Sequence, residues 1–107
     1  MTTRPLPTHV PPTHPGEMLL EEFLKPAKVS LAAFAREIGV SYPRLHELVH
    51  GRRGMTTDTA MRIERATGMG AYFWMQLQLD WDLWHATHGA LSPAVKKIKR
   101  LRAFAAA

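Results

Sequence analysis

The sequence predicts an all-α fold of five helices with an additional basic helix at the C-terminus. Apolar residues recur at helical spacing through residues 17–88, and the most apolar segment is long and lacks a hairpin partner. Ser30, Ser41 and either Thr56 or Thr57 stand just before such segments, where helix N-caps occur. Glycine or proline follows most of the segments, as expected of residues that end helices.

The composition limits the class of protein. A chain of 107 residues suits one domain with one core, and its formal net charge of +5 favours a polyanionic partner. The absence of cysteine excludes disulfides and thiolate metal sites. No apolar run approaches membrane-spanning length, and the first 16 residues hold five prolines and no signal-peptide core. We therefore expect a bacterial cytoplasmic protein that does not contact a membrane.

The first three helices are predicted from local signals. Leu19, Leu20, Phe23 and Leu24 share one face of a first helix, from about residue 17 to 24, which Lys25-Pro26 should end. The second spans about 31–38 behind the cap Ser30. The third follows the cap Ser41, carries Pro43 in its first turn, where the missing N–H costs nothing, and stops at Gly51.

Two further helices and a tail complete the prediction. The fourth helix runs to about Thr67 and stops at Gly68, and the fifth spans about 71–87 with three tryptophans. The fifth is apolar nearly all round, and one core cannot cover so much apolar surface on one helix. We therefore expect part of it to meet another chain, and the candidate contact residues are Phe73, Trp74, Leu77, Trp81 and Trp84. A last helix begins at Ser92-Pro93 and carries five basic residues and no acidic one.

The second and third helices together fit a helix-turn-helix motif. Ala35 is small enough to let the third helix cross close to the second, and Gly39 can adopt the positive φ of the turn. Five apolar residues supply the inward face, namely Phe34, Ile38, Val40, Leu45 and Leu48. In such motifs the second of the two helices, here the third helix of the chain, places its exposed side in the DNA major groove.

The residues predicted to meet DNA lie on that exposed side and in the loop after it. Arg44 can donate twice to a guanine edge, and Glu47 can accept from a cytosine amino group. Tyr42 and Pro43 offer apolar contact to a thymine methyl. Backbone contacts are expected from the remaining members of the set, which are His46, Arg52 and Arg53. Each alone also fits an ordinary solvated helix face, so the prediction depends on their joint spacing.

His46-Glu47-Leu48-Val49-His50 also matches H-E-x-x-H, the pattern of zinc proteases. Histidines four residues apart share a helix face and can hold Zn²⁺ beside a glutamate base. However, Gly51 ends the helix at once, and no third ligand follows at the spacing of the extended motif. A zinc hydrolase is therefore a remote alternative, and we expect no catalytic residue, metal or cofactor.

The sequence resembles the HigA-type antitoxins, also called VapI-type antidotes, of the Xre/Cro helix-turn-helix superfamily. The similarity runs from about His14 to Trp84 and includes HPGE, L-x-x-F-L-K-P, G-R-R-G and the late F-W in that order. It departs from relatives at Leu31, where many carry a phosphate-gripping glutamine, and at Gly70-Ala71-Tyr72, where many carry Ser-Pro-Glu.

This resemblance implies a lambda-repressor-like domain that forms a homodimer and binds double-stranded operator DNA upstream of its own operon. It also implies that DNA is met by the start of the third helix, which adds Ser41 to the predicted DNA-binding residues. It also implies a partner, a RelE-like (HigB-like) mRNA interferase toxin that the antitoxin silences by direct binding. We expect a flexible arm over residues 1–16, the DNA-binding and dimerisation domain over 17–88, and the basic tail over 89–107. An orphan regulator without a toxin, and an interaction module that no longer binds DNA, remain open as alternatives.

Overall fold

A computed structural model describes residues 12–89 and 92–105, which contain six α-helices and, within those ranges, no strand. Most of the predicted arm, residues 1–11, lies outside the described residues. Helix α1 is continuous through three segments, Pro15–Leu19, the π turn Leu20–Leu24 and Lys25–Ala27. The others are α2 (Leu31–Ile38), α3 (Tyr42–Val49), α4 (Thr57–Thr67), α5 (Ala71–His88) and α6 (Pro93–Lys96). A short 3-10 turn, Arg102–Phe104, follows.

The helix boundaries confirm the predicted caps. The hydroxyls of Ser30, Ser41 and Thr56 accept the backbone N–H groups of Ala33, Arg44 and Thr59 at 3.1, 3.4 and 3.3 Å. Gly39 adopts the left-handed conformation expected of the turn, with φ 72°. The N-cap of helix α5 is Gly70, which has no side chain to form a cap, and the carboxylate of Glu64 instead accepts the Ala71 N–H at 3.0 Å.

Helix α1 differs from the prediction at both ends. It begins at Pro15, so that Pro15 and Gly16 are buried helix residues and do not belong to the arm. It continues past Pro26 to a left-handed Lys28 with φ 58°. Pro26 lacks an N–H and crowds the carbonyl four residues earlier, and the wider π turn directly before it relieves that crowding.

The core lies between α1 and α5 and includes the inner faces of α2, α3 and α4. Phe34, Ile38, Leu45 and Leu48 are buried, and Val40 packs partly buried against them, as predicted. Trp74 is fully buried at its centre, and its indole N–H donates to the Met69 carbonyl at 3.1 Å. The result is a closed, all-α helix-turn-helix fold.

The C-terminal helix is much shorter than predicted. Within residues 92–105, only Pro93–Lys96 is α-helical, and all of these residues are exposed. A short helix is unstable without packing, and neighbouring lysines and arginines repel one another without an acidic residue one turn away. No helix of the described residues is long and apolar enough to cross a bilayer.

Candidate nucleic-acid interface

Helix α3 presents one side to solvent because its other side is fixed in the core. Leu45, Leu48 and Val49 are buried with at most 4% of their surface exposed. The opposite side, which we call the outer face, is exposed over its first turn and half-buried at its two later positions. Its members are Ser41, Tyr42, Pro43, Arg44, His46 and Glu47. The structure thus brings all six of the predicted helix residues together on one accessible surface.

The two arginines predicted as backbone clamps lie in the loop just after α3. Residues 51–56, which we call the arginine loop, connect α3 to α4, and both Arg52 and Arg53 are exposed there. The Arg53 guanidinium donates to the Glu47 carboxylate at 3.1 Å. The arginine loop is therefore bonded to the outer face. In this conformation Glu47, which was predicted to read a base, neutralises the charge of Arg53, which was predicted to bind a phosphate.

The aromatic residues of the outer face form a ladder along α3. The ring centroids of Tyr42 and His46 are 5.9 Å apart, and those of His46 and His50 are 4.2 Å apart. The Nδ1 of His50 donates to the His46 carbonyl at 2.8 Å, which caps the helix end. Within the ranges 12–89 and 92–105, no three His, Cys, Asp or Glu residues are grouped as metal ligands would be. The two histidines of the H-E-x-x-H pattern thus form a hydrogen bond at the C-terminal end of α3, between the His50 ring and the His46 carbonyl.

The arginine loop rests on two buried polar residues that the sequence did not single out. Gln78 of α5 accepts the Met55 N–H at 2.6 Å and donates to the Asp82 carboxylate at 2.9 Å. His14 accepts the Gly16 N–H at 3.0 Å, and its ring also bonds to the Arg53 backbone. The sequence signal for Gln78 was its position as a polar residue inside the apolar helix α5, because a buried amide needs hydrogen-bond partners.

His14 is held in its neutral form by this position. Its ring meets Trp81 edge-on, with centroids 4.9 Å apart, and only 3% of the residue is exposed. Burial lowers the pKa of His14 below its ordinary value of 6.5, although the negative charges of Asp82 and Glu17 oppose the shift. The neutral ring can accept one hydrogen bond and donate another, which its two backbone partners require.

The five residues predicted to contact another chain differ in how deeply they are buried. Trp74 and Leu77 are buried in the chain's own core, which makes their surfaces unavailable to a second copy in this conformation. The other three, Phe73, Trp81 and Trp84, are half-buried. A different apolar stripe is exposed on the opposite side of α5, where Tyr72, Leu79 and Leu83 are 81%, 50% and 44% exposed. Its members were not separable in sequence because α5 is apolar nearly all round.

Comparison with known proteins agrees with this geometry. The profile of the Cro/C1-type helix-turn-helix DNA-binding domain matches residues 20–70. The chain is 45% identical over 74 residues to virulence-associated protein I of Dichelobacter nodosus, covering 69% of this chain and 68% of that protein. It is 34% identical over 73 residues to antitoxin HigA-1 of Vibrio cholerae, covering 68% and 69% of the two chains. The chain belongs to the HigA antitoxin family.

The fold of this HigA-family chain also matches a solved complex. The structure of the Pseudomonas aeruginosa antitoxin HigA with the higBA promoter aligns with a TM-score of 0.73 and 38% identity. The alignment covers 84% of this chain and 98% of that one. The HigA family comprises helix-turn-helix DNA-binding regulators and not enzymes, which rules out the zinc hydrolase.

Proposed function

We propose that this HigA-family chain is an antitoxin that acts as a homodimer, represses its own operon and silences a toxin. The observation that carries the proposal is the outer face of α3, which is exposed along a helix whose other side is buried. A relative 38% identical in sequence forms a complex with the higBA promoter, which supports the same ligand here. The site of action is then the bacterial cytoplasm, and the ligand is a double-stranded operator.

On DNA, each part of the interface has a distinct role. Arg44 reads a guanine edge from the first turn of α3, and Tyr42 and Pro43 contact thymine methyl groups. Arg52 and Arg53 clamp phosphates, and Ser41 and His46 add hydrogen bonds to the backbone. Glu47 accepts from a cytosine once Arg53 turns toward a phosphate. No cofactor takes part.

Dimerisation sets the distance between the two copies of α3. A palindromic operator requires two such helices about 34 Å apart on one face of the duplex. We assign the contact to the exposed stripe of α5, where Tyr72, Gln76, Leu79 and Leu83 follow at steps of four, three and four residues. This assignment replaces Trp74 and Leu77, which the core already uses, and leaves half-buried Phe73, Trp81 and Trp84 outside the contact, because they lie on other sides of α5.

Toxin binding is the second activity that we propose. The partner is a small RelE-like (HigB-like) mRNA interferase, inferred from membership of the HigA family. This chain would block the toxin's action on RNA sterically, since its own activity requires only binding. The residues before helix α1 and the tail over 89–107 flank the DNA-binding domain in this scheme.

One combined experiment tests both activities. The chain is co-expressed with the product of the neighbouring gene and purified, and the shared promoter is footprinted with and without that product. We expect a co-purifying small protein and a protected palindrome. A protected palindrome without any co-purifying protein would indicate the orphan regulator, and failure to observe either result would refute the proposal.

A variant series then tests the base-reading role. Arg44→Ala should weaken operator binding and relax base choice by about 1–3 kcal/mol if the contact is bidentate. Lys25→Ala removes the same charge from the exposed surface of α1 and serves as the matched control. Equal operator affinities and base preferences for the two variants would remove Arg44 from the reading set.

A further inference from the structure

We propose that His14 and Gln78 are positioning residues that hold the arginine loop in the conformation that meets DNA. The inference rests on the proposed DNA-binding function and concerns the residues beneath its surface. Neither side chain reaches the outer face, because both are more than nine-tenths buried. Their contribution is exerted through the backbone that carries Arg52 and Arg53.

Gln78 fixes the C-terminal half of the arginine loop. Its side-chain oxygen accepts the Met55 N–H at 2.6 Å, two residues after Arg53. Its amide nitrogen donates to Asp82 at 2.9 Å, which sets the orientation of the amide group. A side chain built at Gly54 would meet the same amide at 3.3 Å. The loop backbone thus lies directly against α5 at this point.

His14 fixes the part of the arginine loop that carries Arg53. It bonds to the Arg53 backbone while its Nδ1 caps α1 by accepting the Gly16 N–H. Trp81 supports the ring edge-on from α5. The loop is therefore attached to both α1 and α5, and an opening of about 430 Å³ lies between His14, Gln78, Trp81 and the loop.

This arrangement explains how two long, exposed side chains can act as reproducible clamps. A phosphate contact requires a guanidinium at a defined place, and flexible side chains lose less entropy when their backbone is already fixed. The arginine loop contains two glycines, Gly51 and Gly54, which would otherwise give it freedom. His14 and Gln78 remove that freedom without meeting the ligand.

Two single variants loosen the loop from different sides. His14→Asn keeps a strong N-cap for α1 but cannot reach Arg53. Gln78→Leu keeps the bulk and leaves the Met55 N–H without its acceptor. We expect both to lower operator affinity and to reduce the slope of log K against log salt, by about one for each phosphate that the protein no longer neutralises. Circular dichroism and thermal unfolding identify the folded variants.

A charge-balanced pair provides the rescue. Gln78→Glu keeps the acceptor for Met55 but places a carboxylate beside Asp82, and should weaken binding. Adding Asp82→Asn restores the hydrogen bond in the reverse direction, because the new amide at position 82 donates to the new carboxylate at position 78. The net charge of the double variant equals that of the wild type. We expect the double variant to recover both the affinity and the salt slope.

The outcomes separate the two proposals. If wild-type protein fails to bind its promoter, the proposed function fails. If wild-type protein binds and folded His14→Asn matches it in affinity and slope, the positioning role is refuted. If Gln78→Leu does not fold, the rescue pair still tests the inference. It is overturned if adding Asp82→Asn to Gln78→Glu fails to restore the affinity and the salt slope.

Discussion

Arg53 donates to Glu47 at 3.1 Å, and this pair joins the arginine loop to the outer face of α3. Both side chains are more than 40% exposed, so the ion pair contributes little to folding. Each residue satisfies the other in the free chain, so we propose that the pair acts on binding instead. In the proposed complex DNA would compete for both groups, and a phosphate that captured Arg53 would release Glu47 to a base.

Glu47→Gln tests that coupling. The substitution removes a negative charge from the proposed DNA surface and releases Arg53, so we expect tighter binding to unrelated duplexes and a smaller ratio of operator to unrelated affinity. The free energy of unfolding should change by less than about 1 kcal/mol. Titrations of operator and scrambled duplexes measure the ratio, with Glu22→Gln on α1 as the charge-matched control. An unchanged ratio would contradict the role given to Glu47.

Gly16→Ala tests the contact between α1 and α3. A Cβ at Gly16 would overlap the Leu48 carbonyl, which is backbone and cannot move aside cheaply. We expect the free energy of unfolding, measured by urea denaturation, to fall by about 3 kcal/mol. Gly70→Ala is the control, because nothing lies within 4 Å of its Cβ position and its φ is −60°. That control should change stability by less than about 1 kcal/mol, and similar decreases in the two variants would refute the account.

His14 should make stability depend on pH. Because burial depresses its pKa in the folded chain, the unfolded chain binds more protons between the folded pKa and 6.5. Its contribution is therefore complete above pH 6.5 and declines as pH falls through the folded pKa. Urea unfolding across this interval should show the decline in wild type and a flatter profile in His14→Asn. Glu17, Asp82, His85 and His50 lie around the ring, and parallel profiles for the two proteins would refute the contribution given to His14.

Leu83→Asp tests the proposed dimer contact. Leu83 is 44% exposed on the outward stripe of α5, so we expect the variant to fold and to sediment as a monomer. Operator affinity should fall when dimerisation is lost, because one copy of α3 then binds without its partner. His85→Asp introduces the same residue on another side of α5 and should leave the assembly intact. A dimer that survives Leu83→Asp would place the interface elsewhere.

The helix-turn-helix could be predicted because its signals are local. Ser30 and Ser41 bond to N–H groups three residues later, and Gly39 satisfies a backbone requirement that does not depend on distant residues. The start of α1 could not be predicted in this way. Gly16 is needed because Leu48, more than thirty residues away in sequence, lies against it.

The interface was predicted less completely than the fold. Exposed positions on α3 follow from helical periodicity, which also gives the buried ones. Which tryptophan of α5 enters the core does not follow, since apolar Leu77 lies one helical turn from both Trp74 and Trp81. Hydrogen bonds between distant segments, such as that from Met55 to Gln78, depend on tertiary packing.

The exposed tail has an electrostatic consequence. Five basic residues lie between Lys96 and Arg102, and they equal the formal net charge of +5 for the whole chain. Nine basic and nine acidic residues remain in the rest of the sequence, which is thus electrically balanced. Long-range attraction toward a polyanion would therefore arise chiefly from the tail, and the helical body would contribute to the proposed recognition only at close range.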